Sequence, residues 1–156
     1  MPGRRPKGAE VHENRTASSA GETGSGPVEW PAMAPALTVR GLRGATTVDA
    51  DTVAQVTERS QELMRELMAS NDLVEDDIIS VLFTATADVT STFPATAIRE
   101  IGFGAVPLLC AAEIPVPGAM PLCIRALLHV YTARPREAMH HVYLHGAQTL
   151  RDDLPD

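Results

Sequence analysis

Two apolar runs meet around Cys110–Arg125, CAAEIPVPGAMPLCIR, and each admits a single charge. The first, Val106 to Cys110, runs up to a lone carboxylate, Glu113. A turn segment holding Pro115, Pro117 and Gly118 follows, and the second run, LCIRALLHVY, carries one cation, Arg125. A charge inside such a run costs several kcal/mol unless it is paired or serves a ligand. Runs joined by a Pro/Gly loop read as neighbouring strands, which puts Glu113 at one strand's end and Arg125 near it on the next. An acid and a base facing a common space make a site for a polar ligand. From spacing alone, a structural salt bridge is the simpler reading.

The elements around this stretch alternate. Leu37 to Thr46 reads as a first strand interrupted by Gly41 and Gly44. Arg40 and Arg43 then point to opposite faces, so one of them looks inward or across an interface. Asp49 or Asp51 is placed to cap a helix running to about Ser70. Val53, Val56, Ser60, Leu63, Met64, Leu67 and Met68 form its apolar stripe. Glu58, Arg59, Glu62, Arg65 and Glu66 lie on the opposite, solvated face. Ile78 to Thr84 is a continuous apolar run, read as a strand covered on both sides. Pro94 opens a short helix, PATAIREI, which Gly102 and Gly104 end. A third strand begins near Val106 and a fourth spans LCIRALLHVYTA. After a helical turn at Arg136 to Met139, HHVYLH alternates, and GAQTLRDDLPD reads as a polar tail.

Residues 1–36 have no apolar periodicity and are rich in Gly, Pro, Ser, Ala and Glu. Such a segment buries too little surface to offset its ordering entropy, so a disordered tail is expected there, with Met33 a candidate start. Residues 37–156 form the expected single domain. That domain holds nine arginines, no lysine and 16 acids, and the chain carries a formal charge of −7. This balance argues against a nucleic-acid partner. It also makes each Arg in an apolar setting a candidate carboxylate grip. No stretch has the apolar length of a membrane span or a secretory signal. Cys110 and Cys123 lack CxxC spacing and sit in apolar runs, which fits a reducing cytoplasm. His140, His141 and His145 are poor co-ligands, because strand neighbours point oppositely. No dinucleotide fingerprint, P-loop or nucleophile–base pattern is present, so neither cofactor nor metal is expected.

In order along the chain, VRGLRGATTV, the long helix, FPATAIRE, CAAE, CIR, HVYL and a terminal LR resemble the AroH-type chorismate mutase family over Val39 to Leu154. The resemblance implies an α/β fold, a mixed sheet with packed helices. It also implies three subunits joined into a pseudo-barrel with clefts between neighbours. The implied reaction is the [3,3] rearrangement of chorismate to prephenate in phenylalanine and tyrosine synthesis, without covalent intermediate or obligatory proton transfer. Catalysis then rests on holding a compact conformer and placing charge where it develops.

Carried over by position, Arg125 supports the ether oxygen, and Glu113 stands near the ring hydroxyl and the cationic ring. Cys110 contacts that hydroxyl as a weak hydrogen-bonding group. Arg43 and Tyr143 bind carboxylate, Leu150 and Arg151 belong to the closing tail, and Phe93, Ala95 and Arg99 form a wall. Two residues depart from the family pattern: Thr96 replaces a lysine and Leu109 a frequent threonine. Weaker substrate capture is the expected consequence. Two other classes remain open: a non-catalytic trimer sensing a carboxylate metabolite, and a structural oligomer stapled by its arginines. A sensor has no use for a cation at an ether oxygen, and a structural oligomer none for Arg125 and Glu113 together.

Overall fold

The computed structural model describes residues 36–151, which fall within one compact unit, Ala34–Asp156. The expected tail over residues 1–36 therefore lies outside the described residues but for Ala36. The elements are β1 (Thr38–Thr47), α1 (Val53–Ser70), β2 (Ile78–Ala85), α2 (Pro94–Arg99), β3 (Leu108–Ala112), β4 (Cys123–Thr132) and β5 (Val142–Tyr143). Short 3₁₀ turns occupy Glu75–Asp77 and Arg136–Ala138, and a longer 3₁₀ helix runs from His145 to Arg151.

The sheet is mixed, in the order β3-β2-β4-β1-β5. The central strand β4 is antiparallel to β1 over its whole length and to β2 on its other side. The outer strands β3 and β5 run parallel to their neighbours. This corrects the expectation that the strands carrying Glu113 and Arg125 are adjacent: β2, earlier in the chain, lies between them. A parallel β2–β3 pair needs a long crossover, and α2 supplies it.

Both helices pack together on one face of the sheet. Period-two alternation sends Leu42, Val81, Phe83, Ile124, Ala126, Leu128 and Val130 to that face, where all are buried. Each of the Val, Leu, Ile and Phe side chains among them contributes about 1.5–3 kcal/mol of transfer free energy. From α1, Val56, Leu63, Met64 and Leu67 meet them, while Val53, expected in the stripe, is exposed. Gly44 sits under α1: a Cβ there would lie 2.7 Å from a Leu67 methyl and 3.0 Å from one of Leu63.

The other face of the sheet is not covered by helices. On β2 the buried positions alternate with half-exposed Ser80, Leu82 and Thr84, so this strand is not covered on both sides as expected. Leu109 on β3 and Tyr131 on β4 are exposed large side chains of the outer strands and the open face.

The start of α1 also differs from expectation. Thr52 is the N-cap, and its hydroxyl accepts from the Gln55 N–H at 3.2 Å. Gln55 Oε1 in turn accepts from Asp49 and Ala50 N–H, a variant of the reciprocal cap. Asp51 is thereby free for another role. It accepts from Thr90 N–H and hydroxyl and from Ser91 N–H, at 3.0, 2.7 and 3.0 Å, tying down the loop before α2. These bonds, the Thr90 hydroxyl first, hold the Asp51 carboxyl down at about 2.

At the other end, the segment read as a polar tail forms the His145–Arg151 3₁₀ helix. Strand β5 stops at Tyr143, and His145, at φ 52°, turns the chain instead of continuing the alternation.

Candidate active site

Strand register places the site on the uncovered face. Tyr143 on β5 pairs with Ala45 on β1, Ala45 with Arg125 on β4, Arg125 with Thr84 on β2, and Thr84 with Ala111 on β3. These side chains form one row across the sheet. Ala45 is the smallest member between Tyr143 and Arg125, and the gap it leaves deepens into a cleft of about 450 Å³. The next row along the same face is Arg43, Leu127, Leu82 and Leu109, three apolar side chains with a cation at one end. The cleft therefore has an apolar floor of Leu82 and Leu127, with Arg43, Arg125 and Tyr143 around it and Leu150 from the terminal 3₁₀ helix.

Glu113 follows β3 by one residue and joins this group from the side. Its N–H bonds to the Ala85 carbonyl at 3.0 Å, which fixes the backbone. One carboxylate oxygen accepts from Arg125 Nη1 and the other from the Thr84 hydroxyl at 2.6 Å. The Arg125 side chain is 34% exposed and that of Glu113 15%. Burial pulls the Arg125 guanidinium down, but the Glu113 carboxylate offsets this and leaves it above its ordinary value. The arginine is permanently charged, oriented by its partner, and opens onto a cleft with an apolar floor. Such a cation is a strong electrostatic group, since water screens it little there.

Most of the expected site residues fall into two groups. Arg43, Arg125, Tyr143 and Leu150 share the cleft, and Glu113 is joined to it through Arg125. Phe93 and Cys110 line a second cleft of about 500 Å³, with Thr90, Ser91 and Pro94. Cys110 packs partly against the core, whereas Phe93 is 69% exposed at the N-terminus of α2. Ala95 is buried in the core cluster, and Thr96 and Arg99 are exposed on α2. Arg151 is the last residue of the terminal helix, and only its backbone is described.

Thr84, Ala45, Leu82 and Leu127 belong to the site and were not expected there. The signal for Thr84 was a polar residue alternating with Val81 and Phe83 inside an apolar run.

Cys123 is fully buried, and burial pushes its thiol up to about 11, so it stays protonated. The three C-terminal histidines go to different partners. His141 Nδ1 accepts from Arg43 N–H at 3.1 Å, His140 N–H donates to Asn71, and His145 meets Arg59 and Glu62 of α1. Among the described residues, no three His, Cys, Asp or Glu side chains gather as a metal site. No helix among them is long and apolar enough to cross a membrane.

Comparison with known proteins gives this arrangement a family. The model of the family described as chorismate mutase type I matches residues 39–154. The chain is 44% identical over 117 residues to chorismate mutase AroH of Thermus thermophilus, covering 74% of this chain and 96% of that protein. It is 37% identical over 119 residues to chorismate mutase AroH of Bacillus subtilis, covering 76% and 94%. Among solved structures, chorismate mutase from Clostridium thermocellum matches with a TM-score of 0.70 at 43% identity, over 70% of this chain and 98% of that one. The chain belongs to the type I chorismate mutase family.

Proposed function

We propose that the Arg125 cleft is the active site of a chorismate mutase, in which one oriented guanidinium carries most of the electrostatic work. The observation supporting this reading is the row Tyr143–Ala45–Arg125–Thr84, with Glu113 joined to its cation. Chorismate is a dianion that rearranges to prephenate within one molecule. As its C–O bond breaks, the ether oxygen gains negative charge and the ring becomes cationic. Arg125 donates to the oxygen and stabilises the charge that develops there. Glu113 supplies the negative counterpart beside the ring and holds the arginine aimed. Arg43 and Tyr143 bind carboxylate, and the apolar floor holds the compact conformer in which the reacting carbons meet.

The same reading accounts for the second cleft. Phe93 and Cys110 lie away from Arg43 and Tyr143 within one protomer, and an exposed Phe is costly to leave in water. In our proposal the assembly is a homotrimer, and Phe93, with Arg99 of the same helix, walls the Arg125 cleft of a neighbour. The uncovered sheet face and exposed Val39, Leu109 and Tyr131 then become buried between subunits. The enzyme works in the cytoplasm, where its two unpaired thiols remain reduced.

The test is direct. Purified protein incubated with chorismate is followed by the loss of chorismate absorbance, with acid conversion of prephenate to phenylpyruvate as the product check. Saturable turnover to prephenate is expected. Binding without turnover would contradict the reading and favour a sensor.

A further inference from the structure

We infer that His145 is a positioning residue: its imidazole fastens the terminal 3₁₀ helix, and with it Leu150, to α1 beside the cleft. The inference rests on the reading of that cleft as the substrate site. The helix starts at His145, where φ is 52° and the chain leaves β5. Its first turn is seated on β1, since Gly146 N–H donates to Thr47 Oγ1 at 3.0 Å. A Cβ at Gly146 would stand 2.9 Å from that same hydroxyl, so the seat is close-fitting. Toward α1, His145 Nε2 lies 2.7 Å from Glu62 Oε2 and 2.5 Å from Arg59 Nη1. Arg59 also reaches Glu62 at 3.1 Å and Asp49 at 3.4 Å. At the far end of the helix, Leu150 lines the cleft.

Nε2 carries a proton and donates to Glu62 both in the imidazolium and in the neutral Nε2–H tautomer, and it accepts from Arg59 when the proton is on Nδ1 alone. The charged groups facing His145 are Arg59 and Glu62 of α1 and, through Arg59, Asp49 of the segment after β1; β1 itself offers only the Thr47 hydroxyl. Two carboxylates face one guanidinium, a set that favours a donor on Nε2 toward Glu62. The imidazole, ahead of an opposing effect of burial and a further contribution from Arg59, holds the Glu62 carboxyl below its ordinary range. In either arrangement the imidazole ties the start of the helix to α1.

The test uses the full chain and two independent readouts. The first is amide exchange of residues 146–151 without substrate, expressed as protection factors at one fixed pH. The second is KM and kcat for chorismate at the same pH. The main variant is His145→Asn, because Asn tolerates positive φ and is too short to reach Glu62. Glu62→Gln removes the charge from the other side, and His145→Lys replaces the imidazole with a permanent cation.

In His145→Asn, protection is expected to fall about fivefold or more against the wild type. KM is expected to rise about three- to tenfold, with kcat within about twofold. Glu62→Gln should loosen the helix in the same direction, and His145→Lys should keep the wild-type values. Equal protection in wild type and His145→Asn would overturn the inference. Protection that changes while KM does not would reduce His145 to a structural tie and also overturn it. If the wild type does not turn chorismate over, the proposed function fails, while the exchange data still judge the fastening.

Discussion

Arg125 and Glu113 are joined across a strand that belongs to neither. Arg125 lies in β4 and Glu113 just past β3, and β2 runs between them. From β2, Thr84 pairs in register with Arg125 and donates to Glu113 at 2.6 Å. The carboxylate is thus held on both oxygens, and the guanidinium is aimed by a partner whose own position is fixed by three strands. Such a support shell turns a surface ion pair of small energetic value into an oriented electrostatic group.

Thr84 is the intermediary, so removing its hydroxyl while keeping its shape isolates that function. Thr84→Val is expected to lower kcat about tenfold, near 1.4 kcal/mol, by freeing one carboxylate oxygen of Glu113. Unfolding midpoints should shift by no more than a few degrees. Unchanged kcat would mean that Glu113 needs no second anchor.

Cys110 is a hydrogen-bonding group in this account and not a nucleophile. Cys110→Ser should retain turnover within about tenfold, because a hydroxyl replaces the thiol with no loss of a reactive centre. Complete inactivation of a folded variant, judged by circular dichroism beside the assay, would show that thiol chemistry is required.

Gly44 tests the packing of α1 on the sheet. An added methyl enters space held by Leu63 and Leu67, both fully buried and with little room to turn aside. Gly44→Ala is expected to cost about 1–3 kcal/mol in urea unfolding. A neutral result would mean that the helix moves aside without penalty.

Asp51 makes a pH-dependent tie to the loop that presents Phe93. Its carboxyl is held at about 2 in the folded protein, against about 3.9 in an unfolded chain. A depressed folded value gives stability that is fully present above the unfolded value and lost as pH falls through the folded one. Asp51→Ala should therefore melt below wild type at neutral pH, and the gap should close as pH is lowered from about 4 to about 2. A gap that stays constant over that window would contradict the assignment.

Much of this was legible in the sequence, for definite reasons. Glu113 and Arg125 each stand alone in apolar surroundings, and the expense of an unpaired charge there made their pairing readable. The α1 stripe from Val56 to Leu67 follows from helical periodicity, and Pro94 marked the start of α2. Strand order was not legible, because the insertion of β2 between β3 and β4 depends on long-range pairing and not on the Pro/Gly loop that links the two. Asp51 resembled a cap by position, but Thr52 with Gln55 is the pair whose spacing closes the reciprocal bonds. The terminal helix gave no signal, since GAQTLR has no apolar period and its seat depends on Thr47 and on the partners of His145. The half-open face of β2 was readable in the alternation of Ser80 and Thr84, and the general apolarity of the run obscured it.

The most direct measurement is kcat for the conversion of chorismate to prephenate by Arg125→Lys, at saturating substrate and beside a check of fold. Lysine keeps the charge and loses the planar fork that Glu113 aims. The account predicts a fall of at least about 10³-fold, roughly 4 kcal/mol, the scale of removing one oriented transition-state donor. Turnover within about tenfold of the wild type would contradict it.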